Sequence, residues 1–212
     1  MADMRAISEA LQRGQADKVK ELVSQAIKEG AAVKKILDDG LIAGMTVVGA
    51  KFKRNEFYVP EVLIAARAMN QGMTLLEPLL MKEGVKPKGT VLIGTVKGDL
   101  HDIGKNLVAM MLSGAGIELV DLGIDVPPET FAKAIEEHHP QIVGISALLT
   151  TTMREMERTI QFLEEAGLRD SVRIMVGGAP VTEDFAQRIG ADGYGRDAVA
   201  AVNLAREWLD EG

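Results

Sequence analysis

The 212-residue chain contains no cysteine. That absence removes disulfides, thiolate nucleophiles, zinc knuckles and iron–sulfur clusters held by this chain. It suits a reducing compartment, and a cytoplasmic location is the expectation. Aromatic residues are few, one Trp, two Tyr and five Phe, so the core implied by 47% hydrophobic residues is mainly aliphatic. Basic charge is also scarce: the net charge is −7 and no long basic stripe appears, so nucleic-acid binding is not expected. No apolar run approaches the ~20 residues of a membrane-spanning helix. The N-terminal stretch MADMRAISEALQRGQ lacks the apolar centre and cleavage site of a secretory signal. Glycine, by contrast, is plentiful at 22 residues, which implies many tight turns.

Two rhythms divide what remains. Residues 1–85 read as helix throughout. In ADKVKELVSQAIKEG the apolar residues Val19, Leu22, Val23, Ala26 and Ile27 share one helical face, and Gly30 ends the helix. AAVKKILDDGLIAGMTVVGAKFKRN supplies one or two further helices, broken near Asp38–Gly40. Pro60 suits the first turn of the next helix, which extends to about Lys82 with a break or kink at Pro78. Helices of this size with short connections pack as a bundle. VKPKGT, residues 85–90, reads as a linker. Beyond it, apolar strand-like runs at 91–96, 117–121, 141–147, 173–176 and weakly 192–194 alternate with helical patterns at 104–114, 128–138, 152–166, 181–189 and 196–210. Alternation of this kind predicts a doubly wound α/β domain over 90–212 with a parallel five-stranded sheet, Rossmann-like or flavodoxin-like. Ligands of such sheets bind outside the carboxyl ends of the strands.

One strand-end loop, in VLIGTVKGDLHDIGKNLVAMML, carries unusual residues. Gly94, Gly98 and Gly104 are too widely spaced for a dinucleotide fingerprint, and Gly104-Lys105-Asn106 does not fit a phosphate-binding P-loop. For a lone histidine such as His101 a capping or solvent-facing role is the ordinary reading, and Asp99 or Asp102 could be a plain helix N-cap. Two features weigh against that. His101 sits where α/β ligands bind, and Asp99, two residues earlier, could accept a hydrogen bond from one ring nitrogen and leave the other free for a metal. Zinc needs three or four protein ligands. The chain has only His138 and His139 besides, at the end of a polar helix. A single protein ligand makes sense where the cofactor brings the others, as a haem or corrin does.

The order Asp99-x-His101-x-x-Gly104, then Ser146-x-Leu148, then Gly177-Gly178 resembles the cobalamin-binding signature of methionine synthase, the carbon-skeleton mutases and the corrinoid proteins of methyltransferase systems. The spacings agree, with 41 residues between Gly104 and Ser146 and 28 between Leu148 and Gly177. The helical half resembles the cap that precedes the cobalamin domain in methionine synthase and the small corrinoid proteins, a cap the mutases lack. The resemblance therefore implies methyl transfer.

It further implies base-off, His-on binding, with His101 as lower axial ligand of cobalt, Asp99 holding the other ring nitrogen, and Thr152 completing a relay where methionine synthase has a serine. Ser146, Gly177 and Gly178 would line a slot for the cofactor's nucleotide tail, and Leu148 would pack on it. Asp102, Ile103, Gly104, Thr150 and Tyr194 are further contacts implied for the cofactor, with Gly94, Val126 and Gly193 beside them. A Gly-Gly pair alone reads as a tight turn. A helix beginning at Tyr58-Val59-Pro60 would cover the upper corrin face, which makes Tyr58, Leu63, Ala65, Ala68 and Met69 cap candidates; for Leu63 and Met69 ordinary bundle core is an equal alternative. The implied role is a methyl carrier that binds cobalamin or another corrinoid. It would be loaded by a substrate:corrinoid methyltransferase and unloaded by a second, corrinoid:acceptor methyltransferase onto tetrahydrofolate or a thiol coenzyme, with a reductive activase as further partner and without catalytic activity alone. Methylamines, methanol, betaines and aryl methyl ethers are donors served by such carriers. Two alternatives stand beside it: a cobalamin-dependent light sensor or regulator, and the small subunit of a cobalamin mutase.

Overall fold

Apolar residues spaced three and four apart build the first half of the chain, whose computed structural model describes residues 3–85 and 87–210. Lys86, in the expected linker, lies outside the described residues. Helix α1 (Met4–Gln12) is capped by Asp3, whose carboxylate accepts from the Ala6 amide at 3.1 Å, and buries Ile7, Ala10 and Leu11. Helix α2 (Ala16–Lys28) buries Val19, Val23 and Ala26 and packs along α5 (Val59–Glu83). Between them α3 (Val33–Lys35) runs through a π-helical segment, Ile36–Ile42, into α4 (Ala43–Lys53). The break expected near Asp38–Gly40 is therefore a widened helical turn. Its glycine serves packing: a Cβ at Gly40 would lie 3.1 Å from Ile7 Cγ2, and one at Gly44 would lie 3.1 Å from Leu11 Cδ2. Pro78 does not interrupt α5 either. Leu76 and Leu80, buried on either side of it, hold the two halves of the helix in the same core.

In the second half all strands are parallel, in the order β2-β1-β3-β4-β5. They are β1 (Thr90–Thr95), β2 (Glu118–Asp121), β3 (Ile142–Ser146), β4 (Arg173–Gly177) and β5 (Gly193–Gly195). Helices α6 (Ile103–Gly114), α7 (Pro128–His138), α8 (Met153–Glu165), α9 (Glu183–Arg188) and α10 (Ala198–Asp210) alternate with them. The central strands are buried along almost their whole length, which is why they read as continuous apolar runs. By contact the chain divides into two compact units, residues up to 87 with 113–116, and 88–112 with the residues from 117 onward.

Two properties of the sheet position the site. The chain leaves β1 toward β2 on one side and leaves β3 toward β4 on the other, so β1 and β3 flank the switch point where such sheets open a crevice. At the carboxyl edge, Thr95, Ser146, Gly177 and Gly195 lie side by side in register, a row of small residues across four strands. The row before it, Gly94, Ile145, Val176 and Tyr194, points to the opposite face, because side chains alternate along a strand. Ile145 and Val176 belong to the core formed with Phe131, Met156, Ile160 and Phe185.

Candidate functional site

The loop leaving β1 turns back on itself before α6 begins. Gly98 takes φ +78°, open to glycine at no steric cost, and the Asp99 amide closes the turn onto the Val96 carbonyl at 3.1 Å. The turn drives the Asp99 carboxylate inward, where it is fully buried. Five donors converge on it. Oδ1 accepts from His101 Nδ1 at 2.7 Å and from the His101 amide at 3.1 Å. Oδ2 accepts from the Thr152 hydroxyl at 2.7 Å and from the amides of Leu148 and Leu149 at 2.7 and 3.2 Å. Burial, the strongest single influence on this carboxyl, pushes its pKa up. The hydrogen bonds from Thr152, Leu148 and His101 together outweigh it and hold Asp99 well below the usual carboxylate range.

A carboxylate only accepts, so the proton of the neutral His101 ring sits on Nδ1 and the lone pair on Nε2. The side chain is 49% exposed. Thr95, buried at the end of β1, donates its hydroxyl to the His101 carbonyl at 3.1 Å and fixes the backbone beneath the ring. Large apolar side chains stand exposed at three strand ends: Leu100, and Ile103 at the start of α6, after β1; Ile124 after β2; and Leu148 and Leu149 after β3. Beside them a Cβ at Gly104 would meet no atom within 4 Å.

Several expected site residues have structural duties as well. Asp102 sits at the start of α6; its carbonyl accepts from the Asn106 amide at 2.7 Å and its carboxylate from Asn106 Nδ2 at 2.9 Å. Asn106 in turn accepts from Lys105, a buried ammonium that also pairs with Asp121 at the end of β2. At Gly178, with φ +132°, a Cβ would fall 1.8 Å from the Ala147 carbonyl oxygen, and at Gly177 one would fall 2.9 Å from the Gly195 oxygen. The glycine pair is thus required by the close approach of backbones around β3, β4 and β5. Ser146 is half-buried beside it, and Thr150 is exposed on the loop.

Three expectations change. Tyr194 does not share the face of Ser146 and Gly177; it packs against the core on the other side of the sheet. Gly94 faces that same side, where its missing Cβ makes room for the Phe131 ring, and Val126 is core. In the helical unit Ala65, Ala68 and Met69 are buried in the bundle, whereas Tyr58, Val59 and Leu63 are exposed. Helical periodicity explains the split: Val59 and Leu63 are one turn apart on the outer stripe, and 65, 68 and 69 lie on the inner one. Leu149, Thr95 and Asp125 carry no signal in the sequence. A backbone amide donor leaves no mark in the residue type, and nothing local distinguishes Thr95 from any strand threonine.

Comparison with known proteins decides the family. Residues 89–203 match a family model described as a B12 binding domain, and residues 4–77 match a second model of the same description. The chain belongs to the B12-binding corrinoid proteins. A trimethylamine corrinoid protein of Methanosarcina barkeri is 48% identical over 190 residues, 87% of this chain and 88% of the relative. A cobalamin-binding protein of Desulfitobacterium hafniense superposes with a TM-score of 0.80 at 31% identity, over 98% of this chain and 99% of the other. A chain of the methanol:cobalamin methyltransferase complex of M. barkeri superposes with a TM-score of 0.88 at 32% identity, over 99% of this chain and 80% of the other.

The residues of this corrinoid protein fit such a cofactor. Among the described residues no group of three or more His, Cys, Asp or Glu could hold a metal ion. A cobalt at His101 must therefore bring its other ligands, as a corrin ring does. The exposed apolar side chains at these strand ends suit a broad, largely apolar ring, and the open space at Gly104 adds no bulk. Among the described residues no helix is long and apolar enough to cross a membrane.

Proposed function

We propose that this corrinoid protein is the methyl carrier of a methyltransferase system, of the kind whose relatives are named for methylamines and methanol, and that it binds cobalamin base-off and His-on. The observation that carries the reading is the pair of Asp99 and His101. A half-exposed imidazole is held through Nδ1 by a buried, charge-retaining carboxylate, which leaves Nε2 as the donor. The corrinoid, when bound, supplies a cobalt that accepts a methyl group and passes it on. The chain's own residues do the rest. His101 offers Nε2 as lower ligand. Asp99 keeps the ring's tautomer and aim. Thr152, Leu148 and Leu149 keep Asp99 charged. Ser146, beside Gly177 and Gly178, offers a small polar site for the cofactor's tail.

Two partners complete the cycle: a substrate:corrinoid methyltransferase that loads the carrier, and a second methyltransferase that passes the methyl to tetrahydrofolate or a thiol coenzyme. A reductive activase would return inactive cobalt to service. Support for the first partner comes from the methanol:cobalamin methyltransferase complex. The matches go to corrinoid proteins of this type and do not favour a light sensor or a mutase subunit.

The test is the visible spectrum of purified protein reconstituted with methylcobalamin, beside a His101→Ala variant. A His-on spectrum in the wild type that is lost in the variant supports the assignment. Identical spectra would remove His101 as the ligand, and failure of both to bind would remove the corrinoid.

A further inference from the structure

We infer that Asp125, on the loop between β2 and α7, is a positioning residue for the cobalt ligand, clamping the histidine loop from outside the Asp99–Thr152 relay. This inference rests on the reading of His101 as lower ligand and deepens it.

The observation is a two-point backbone grip. Asp125 Oδ1 accepts from the Gly98 amide at 2.6 Å, and the Asp125 amide donates to the Asp99 carbonyl at 3.1 Å. Both contacts fall on the turn that aims the Asp99 carboxylate and lies just before His101. The segment that carries Asp125 is itself anchored to β1. The Leu122 amide donates to the Ile93 carbonyl at 2.8 Å, the Thr95 amide to the Gly123 carbonyl at 3.0 Å, and the Val126 amide to the Thr95 carbonyl at 2.9 Å. A parallel bridge between Val96 and Val126 continues the pairing past the end of the strand. Asp125 thus transmits the rigidity of the sheet to a loop that otherwise protrudes.

The residue type fits the task. Asp125 adopts φ +54°, a left-handed conformation that aspartate and asparagine tolerate far better than other side chains. It must also present an acceptor to Gly98, whose own left-handed turn directs its amide at Asp125 and away from the strand. Asparagine meets both demands. Glycine meets only the first, which separates loss of the hydrogen bond from backbone strain.

The experiment compares wild type, Asp125→Asn and Asp125→Gly, each reconstituted with cob(II)alamin, by electron paramagnetic resonance. The nitrogen splitting from an axial imidazole gives the ratio of His-bound to His-free cobalt. Asp125→Asn should keep the wild-type ratio, and Asp125→Gly should lower it about five- to tenfold, the weight of one ordinary hydrogen bond. Hydrogen exchange at the Gly98 amide, measured without corrinoid, should quicken in Asp125→Gly alone. An unchanged ratio in Asp125→Gly, or a lowered ratio with Gly98 exchange unaltered, overturns the clamp. Absence of axial nitrogen splitting already in the wild type, matching His101→Ala, overturns the ligand assignment itself and is told apart because no Asp125 variant is needed to see it.

Discussion

A buried carboxylate that accepts five hydrogen bonds cannot be replaced without orphaning several donors. Asp99→Ala would leave the Leu148 and Leu149 amides without their acceptor and the Thr152 hydroxyl with the Leu149 carbonyl alone, which costs about 2–4 kcal/mol in the corrinoid-free protein. Denaturant midpoints would register it. Because its folded pKa is depressed, the carboxyl's contribution is fully present above the ordinary value of 3.8 and is lost as pH falls through the folded value. Stability should therefore decline more steeply below about pH 4 in wild type than in Asp99→Ala, and superimposable acid profiles would contradict this. Thr152→Ser keeps the donor and should be nearly neutral; Thr152→Val loses it at similar volume and should cost about 1–2 kcal/mol. The D-x-H spacing and the hydroxyl at 152 make these residues legible in the sequence. The amides that complete the Asp99 shell are not legible, since every residue but proline has one.

Loops between strand and helix give glycine two opposite meanings. Gly178→Ala drives a methyl into the Ala147 carbonyl and should abolish soluble expression or cost more than ~4 kcal/mol, because backbone on both sides cannot yield. Gly104→Ala meets nothing and adds a better helix former to the first turn of α6, so the corrinoid-free protein should gain up to about 1 kcal/mol. The same variant should bind hydroxocobalamin more weakly if that space belongs to the cofactor. Thermal unfolding and a binding titration on both variants would distinguish the two meanings. The sequence marks both glycines alike, because type and spacing do not tell whether the missing Cβ faces backbone or open space. The strands are legible as elements because burial on both faces leaves unbroken apolar runs. Their order is not, since parallel pairing is written in contacts distant along the chain. The π-helical turn is hidden for another reason: Asp-Asp-Gly has the composition of a stop, yet Ile36, Leu41 and Ile42 stay buried and hold the helix together.

For the molecule as a whole, the division into a helical unit and a sheet unit follows from the change of hydrophobic period near residue 90, and the two matches to B12-binding models divide there as well. Tyr58 and Leu63 stand exposed on the helical unit. Replacing both by Ala should alter corrinoid-free stability by less than about 1 kcal/mol. The separation along the chain of the Asp99 partners also has a consequence for synthesis. Leu148 and Thr152 lie 49 and 53 residues beyond the aspartate they hold. As the ribosome delivers the chain, His101 emerges long before the groups that aim it, and the β1 loop stays unaimed until β3 has docked beside β1 and α8 has begun. On the proposed reading of His101 as cobalt ligand, a nascent chain stalled before Thr152 should expose the histidine without the groups that aim it.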